Sequence, residues 1–234
     1  MPSIKFRHVA TLLTLAFPLN TYADSQPNPW VGAYGQVGLI GYASYIPKSA
    51  SGTTSVGNYT FSNTATANHA SGLVANIGVG YNFGVIENFI LGMGAALYPG
   101  RSRSVSTTSV TNLPSGAAVS HGTYNVSNIF SLSLLPGYVI NKSHLIYAKI
   151  GYAGSTLNAS SPGNFPQQST QVNGTVYGLG YKQLLTESIY FFGEGNYVVN
   201  RAQAATVVTD SGAIVKSTAN ATGYDFIIGV GYHF

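Results

Sequence analysis

Five large apolar residues, Phe226, Ile228, Val230, Tyr232 and Phe234, stand at every second position of the last stretch of the sequence. Asp225, Gly229, Gly231 and His233 fill most of the places between them. A period of two is the signature of a β-strand with two unlike faces. A chain ending on Tyr-His-Phe would fray its aromatics into water unless that strand is held. In a closed membrane barrel the last strand pairs with the first and lipid takes the apolar side. The stretch therefore constrains fold and surroundings together, and its pattern must recur along the chain.

It recurs seven times. The spacing predicts a first strand over residues 30–45, with Val31, Ala33, Val37 and Leu39 toward lipid and Tyr34, Gln36 and Gly38 opposite. Over 71–83, Leu73, Ile77, Val79 and Tyr81 alternate with Gly72, Asn76, Gly78 and Gly80. Further strands are predicted over 89–97, 124–139, 144–158, 170–184 and 189–204, and the terminal stretch is the eighth. Short turns at 84–88, 140–143 and 186–188 alternate with longer connections at 46–70, 105–123, 159–169 and 205–218, which are rich in Ser, Thr, Asn, Ala and Gly and read as loops. Short turns at one end and long loops at the other are the habit of outer-membrane barrels, whose short turns face the periplasm. The expected fold is all-β, an eight-stranded antiparallel up-and-down transmembrane barrel.

Composition agrees. Charged residues are only 7% of the 234, against roughly 25% in soluble domains, and no run of about 18 apolar residues supplies a spanning helix. Lys5 and Arg7, the apolar run 9–19 and Thr21-Tyr22-Ala23 predict a cleavable secretory signal over 1–23, with the barrel domain over 24–234. Losing Lys5 and Arg7 lowers the formal charge from +4 to +2 and leaves no basic cluster for nucleic acid. The chain has no cysteine, so disulfides and thiolate metal ligands are excluded.

On these residues the chain resembles the small outer-membrane β-barrel proteins of Gram-negative bacteria and is similar to the OmpA-type transmembrane domain. The motif carrying the resemblance is terminal: Phe234, Tyr232 and Gly229 resemble the signal that barrel-assembly machinery recognises. Ile227 departs from the pattern, standing where a polar residue is usual. The peptidoglycan-binding domain of OmpA itself is not expected. The resemblance implies the outer membrane as location, with its lipids, lipopolysaccharide and the assembly machinery as partners and a host or cell-surface ligand conceivable at the loops.

An eight-stranded barrel is only wide enough inside for side chains to fill it, which disfavours an open pore. Lys149, Lys182, Glu194 and Asp225 are predicted to point inward among Gln36, Asn76 and Asn196. Buried charges persist when paired and hydrogen-bonded, so an internal ion-pair network centred on Glu194 and Lys182 is expected. Arg101 and Arg103 are candidates for lipopolysaccharide phosphates. Trp30, Tyr81, Phe83, Phe89, Tyr138, Tyr152, Tyr181 and Phe234 are predicted to form interfacial girdles. Tyr59 and Phe61 offer an aromatic platform or a cover for the barrel mouth.

Catalysis needs a general base beside a nucleophile. His69 and Ser71 are two apart, a spacing resembling that in a lipid A deacylase, but no acid lies nearby in sequence to orient the imidazole. His121 and His144 are no better placed, and the histidines are too scattered for a metal site. No cofactor is expected. The reading is a non-enzymatic barrel with a structural, adhesive or recognition role through its loops; the alternatives are a narrow channel for small solutes or ions and a lipid A-modifying enzyme.

Overall fold

The computed structural model describes residues 28–160, 168–209 and 212–234; the predicted signal, over 1–23, lies outside them. Among the described residues thirteen strands follow one another: β1 Gly32–Pro47, β2 Ala50–Val56, β3 Tyr59–Ala67, β4 Ala70–Ile86, β5 Phe89–Arg101, β6 Val105–Leu113, β7 Gly116–Asn141, β8 His144–Ser160, β9 Gln168–Leu184, β10 Ile189–Asn200, β11 Gln203–Val208, β12 Ile214–Ala219 and β13 Ala221–His233. Eight of them, in the order β1, β4, β5, β7, β8, β9, β10 and β13, make a closed antiparallel ring. The β7–β8 and β13–β1 pairings close it, the latter running from Tyr34 opposite His233 to Pro47 opposite Ala221.

The alternation sorts side chains as their chemistry requires. Phe226, Ile228, Val230, Tyr232 and Phe234 point outward, and Asp225, Ile227 and His233 point into the lumen. Leu73 is 86% exposed and Phe226 65%, exposures that water would penalise and lipid rewards. Aromatic pairs mark two levels. Tyr81 with Phe83, Phe89 with Tyr138 and Tyr232 with Phe234 lie within 5.0 Å, centroid to centroid, near the short-turn end. Tyr177, Tyr197 and Tyr224 are register neighbours on three adjacent strands higher up. Between Tyr224 and Tyr232 the chain rises about 27 Å along the strand, or about 20 Å of height at the usual tilt, close to the apolar band of an outer membrane.

Two expectations need correction. Trp30, placed in a girdle from sequence, is fully buried and stacks edge-on against Tyr190 at 5.7 Å inside the short-turn end. It belongs to the lumen because it precedes β1, where the chain crosses the barrel floor, and Asn82 Nδ2 donates to its carbonyl at 2.8 Å. Three of the four long connections are also not loops. Beyond the membrane-facing ring they form a sheet in the order β11, β12, β2, β3, β6 and the first part of β7. These strands continue the ring strands almost without interruption: β1 passes into β2 through Lys48 and Ser49, and β12 into β13 through Asn220. Strand β7 carries both parts, pairing with β6 through its first residues and with β5 and β8 below.

The lipid-facing assignment predicts that Ile228→Arg, outward-facing and midway between the Tyr224 and Tyr232 levels, lowers stability by about 2–4 kcal/mol, whereas Thr206→Arg, exposed on the extension, changes it by less than about 0.5 kcal/mol. Urea titration of the protein refolded into lipid vesicles reads both.

Candidate functional site: the lumen and its mouth

The lumen is layered. At the short-turn end Trp30, Tyr190, Phe192, Leu145, Ile90 and Val139 pack as one buried cluster. Their rings fit because the facing positions are glycines. Tyr147 lies opposite Gly180, Tyr190 opposite Gly231, Tyr34 opposite Gly80 and Phe192 opposite Gly229. A Cβ on Gly180 would strike the Tyr147 ring, and one on Gly231 the Tyr190 ring. Small residues on the inward face therefore make room for aromatics lying across them, and the lumen is filled.

Above this floor sits the polar layer. Lys149 Nζ meets Glu194 Oε1 at 2.8 Å with both side chains buried. Tyr147 Oη donates to Glu194 Oε2 at 2.7 Å, and Asn196 Nδ2 donates to Glu194 Oε1 at 2.9 Å and to Asp225 Oδ1 at 2.8 Å. Tyr98 Oη reaches both Asp225 oxygens at 3.4 Å. Glu194 thus has an ammonium, a phenol and an amide on its two oxygens, which is what a buried carboxylate requires.

The expected centre, Glu194 with Lys182, is corrected by this geometry: the ion pair is Glu194 with Lys149. Lys182 comes from β9, the strand next to that of Glu194, but its Nζ sits over three phenol rings, 3.8 Å from the Tyr34 centroid, 4.8 Å from that of Tyr190 and 5.4 Å from that of Tyr147. The faces of those rings are electron-rich and hold the ammonium by cation–π attraction. Gln36 Oε1 accepts from Tyr190 Oη at 3.1 Å, and Asn76 Oδ1 accepts the Gly38 amide at 3.1 Å. Sequence reasoning missed Tyr34, Tyr98, Tyr147 and Tyr190 as members of this layer. Their signal was an inward phase, shared for three of them with a glycine across the strand pair.

Above Asp225 the barrel opens into a cavity of about 760 Å³. Tyr98 and Asp225 lie at its base, Tyr45, Val74, Val126 and Ile129 form walls, and Asn200 lines it higher up, at the end of β10. Below, between Gln36, Ser131, Lys149 and Glu194, the free space shrinks to about 20 Å³, room for about one water. The wall is irregular. Gly38 and Ile40 of β1 flank a bulge at Leu39 midway along the strand, and nearer the mouth registers slip at Pro99–Gly100 of β5 and at Asn128 of β7, where Gly100 and Asn128 have φ of 99° and 51°. Arg101 and Arg103 follow the β5 irregularity and line the cavity.

The remaining candidates are dispersed. Ser71 Oγ is hydrogen-bonded to Ser44 Oγ at 2.7 Å, and His69 is exposed. His121 Nδ1 lies 3.4 Å from Thr108 Oγ1, and His144 bonds the Tyr181 hydroxyl at the short-turn end. Among the described residues no three His, Asp or Glu side chains gather as metal ligands do. Tyr59 and Phe61 stack at 6.5 Å on β3, in the extension sheet, and neither lines the mouth cavity. Gly229 faces inward against Phe192, while Tyr232 and Phe234 face outward.

The geometry predicts unequal lysines. Lys149→Met strands the Glu194 charge and lowers stability by about 3–5 kcal/mol, and Lys149→Met with Glu194→Leu recovers most of it. Lys182→Met leaves no carboxylate without its ammonium and costs about 2 kcal/mol or less. Gly180→Ala forces the Tyr147 ring aside at a cost of about 1–3 kcal/mol. Equilibrium urea unfolding in lipid vesicles, with the double-mutant cycle, measures all four.

A search of curated protein sequences found no significant match. Among solved structures, the outer membrane protein OprG from Pseudomonas aeruginosa is similar in fold at 15% identity, with a TM-score of 0.58 over 87% of this chain and 96% of that one. Ail of Yersinia pestis, the attachment invasion locus protein, aligns at 14% identity and a TM-score of 0.39 over 83% and 99% of the two chains. The N-terminal β-barrel domain of Pseudomonas aeruginosa OprF aligns at 15% and 0.38 over 84% and 99%. The family described as outer membrane protein beta-barrel domain matches residues 9–234. With the closed eight-stranded ring, its apolar outer face and that match over nearly the whole sequence, this chain belongs to the outer membrane protein beta-barrel domain family.

Proposed function

We propose that the protein is a non-conducting surface barrel that works through what it displays above the membrane, with a recognition or adhesion role for its mouth and extension sheet. The observation carrying this reading is the contrast between the two ends of the lumen. Trp30, Tyr190 and Phe192 close one end and the Glu194 layer fills the middle, while the 760 Å³ cavity opens only at the other. A through-path would require breaking a buried ion pair and displacing these three aromatic rings together, and an eight-stranded ring leaves no room for them to swing aside.

In this reading residues 1–23 direct export and are cleaved, and Gly229, Tyr232 and Phe234 are read by the assembly machinery. The short turns then face the periplasm and the extension sheet faces outward. The extension suits contact with other molecules because its strands are ordered by pairing. Its β11 edge, Gln203–Val208, carries no charge or proline of the kind that guards an exposed edge strand.

Single-channel recording of the refolded protein in planar bilayers tests this function. Silence is expected from protein whose heat-modifiable gel migration confirms the closed barrel. Steady openings that disappear in Lys149→Met or Lys182→Met would contradict it and make the lumen the working part.

A further inference from the structure

The mouth cavity joins a basic rim to an apolar wall. Arg101 and Arg103 bring two positive charges to its lining, and among the described residues no carboxylate pairs with either guanidinium. The segment bearing them is pinned to β7: the Ser102 amide donates to the Val126 carbonyl at 2.8 Å, the Val126 amide donates to Ser102 Oγ at 2.9 Å, and Ser102 Oγ donates to the Arg103 carbonyl at 3.1 Å. With the backbone held in this way, ordering the exposed arginine side chains is the main conformational cost of engaging a ligand here.

The rest of the cavity limits what that ligand is. Tyr45, Val74, Val126 and Ile129 give it an apolar wall. At the base Asp225 is already held by Asn196 and Tyr98, and its carboxylate repels an anionic group placed there. An anion with an apolar body therefore has one favourable orientation, with its charge at the arginine rim and its body against the wall. The volume falls within the roughly 300–1,000 Å³ of small-molecule pockets, room for a single chain.

We propose that the mouth cavity is a binding site for a single-chain amphiphilic anion, a carboxylate or phosphate monoester, whose head group is bound by Arg101 and Arg103. This deepens the recognition reading above and rests on the cavity being a cup. Guanidiniums bind both anions through paired, charge-assisted hydrogen bonds, so the shared chemistry is an anionic head on an apolar chain.

The test uses the full mature barrel in phosphatidylcholine nanodiscs, with 11-(dansylamino)undecanoic acid as fluorescent probe and empty nanodiscs as background. Saturable probe binding is expected, displaced by decyl phosphate at concentrations tenfold or more below those needed for decanol or inorganic phosphate. Arg101→Gln with Arg103→Gln weakens probe binding at least tenfold. Gly72→Trp, at a cavity position where a Cβ meets nothing within 4 Å, puts a bulky ring into the cup and weakens probe binding at least threefold. Gel migration confirms that each variant is folded. The proposal is overturned by an absence of saturable binding above background or by an unchanged arginine double variant. It is equally overturned if decanol displaces as well as decyl phosphate, which leaves only an apolar pocket, or if inorganic phosphate does, which leaves only a basic rim. Channel openings would overturn the closed lumen without altering this titration, and a failed titration leaves the closed lumen standing.

Discussion

Glu194 carries a charge in a space that eight strands leave only wide enough for side chains, and the middle of the molecule is arranged around meeting that charge. The Lys149 ammonium alone would leave lone pairs unsatisfied in surroundings where each costs several kcal/mol. Tyr147 and Asn196 complete the set, and Asn196 passes the connection on to Asp225 and Tyr98. The network thus ties β8, β10, β13 and β5 together across the lumen. Such cross-barrel ties come in addition to the strand ladders, which pair only neighbours, and they set which end of the lumen is filled and which is left as a cup.

The second constraint is steric. A ring of eight strands accommodates bulky phenols only where the opposing strand gives up its side chain, and here Tyr34, Tyr147 and Tyr190 each face a glycine across a ladder. The same three rings surround Lys182. One set of Tyr–Gly pairs therefore serves two ends: it packs the lower lumen down to a space of about 20 Å³, and it makes a place for a second buried cation whose carboxylate is already taken by Lys149. The inward glycines, which from sequence read as a merely small face, are the complement of the aromatics.

How much of this could be read from the chain follows from where a two-residue period is written. Strands with lipid on one side and packed lumen on the other show it plainly, so β4, β5, β8 and β13 stand out in Leu73 to Phe83, Phe89 to Leu97, Ile146 to Tyr152 and Phe226 to Phe234. The inward charges Lys149, Lys182, Glu194 and Asp225 follow from the same phase. Strands β2, β3, β6, β11 and β12 face lipid on neither side, so Ser, Thr and Ala fall on both faces and no period survives; only the Thr and Val content of stretches such as 105–111 hinted at extended chain. The Lys149–Glu194 pairing was illegible for another reason. Adjacent strands suggested Lys182, but lumen side chains also meet across the ring, and who meets whom depends on strand stagger. Trp30 was misplaced because no alternation governs a residue that lies before the first strand.

The central claim, a closed lower lumen beneath an open cup, is tested most directly by thiol accessibility, since the chain has no cysteine of its own. Single cysteines are placed at Gly72, in the cup wall, and at Ala96, buried beside the small space near Ser131, and the protein in intact membranes is treated with a small charged methanethiosulfonate. A lumen closed below the cup predicts rapid labelling of Gly72→Cys and none of Ala96→Cys over the same time. Equal labelling of both would mean that water and ions enter the Glu194 layer as freely as the cup, which contradicts a closed lower lumen.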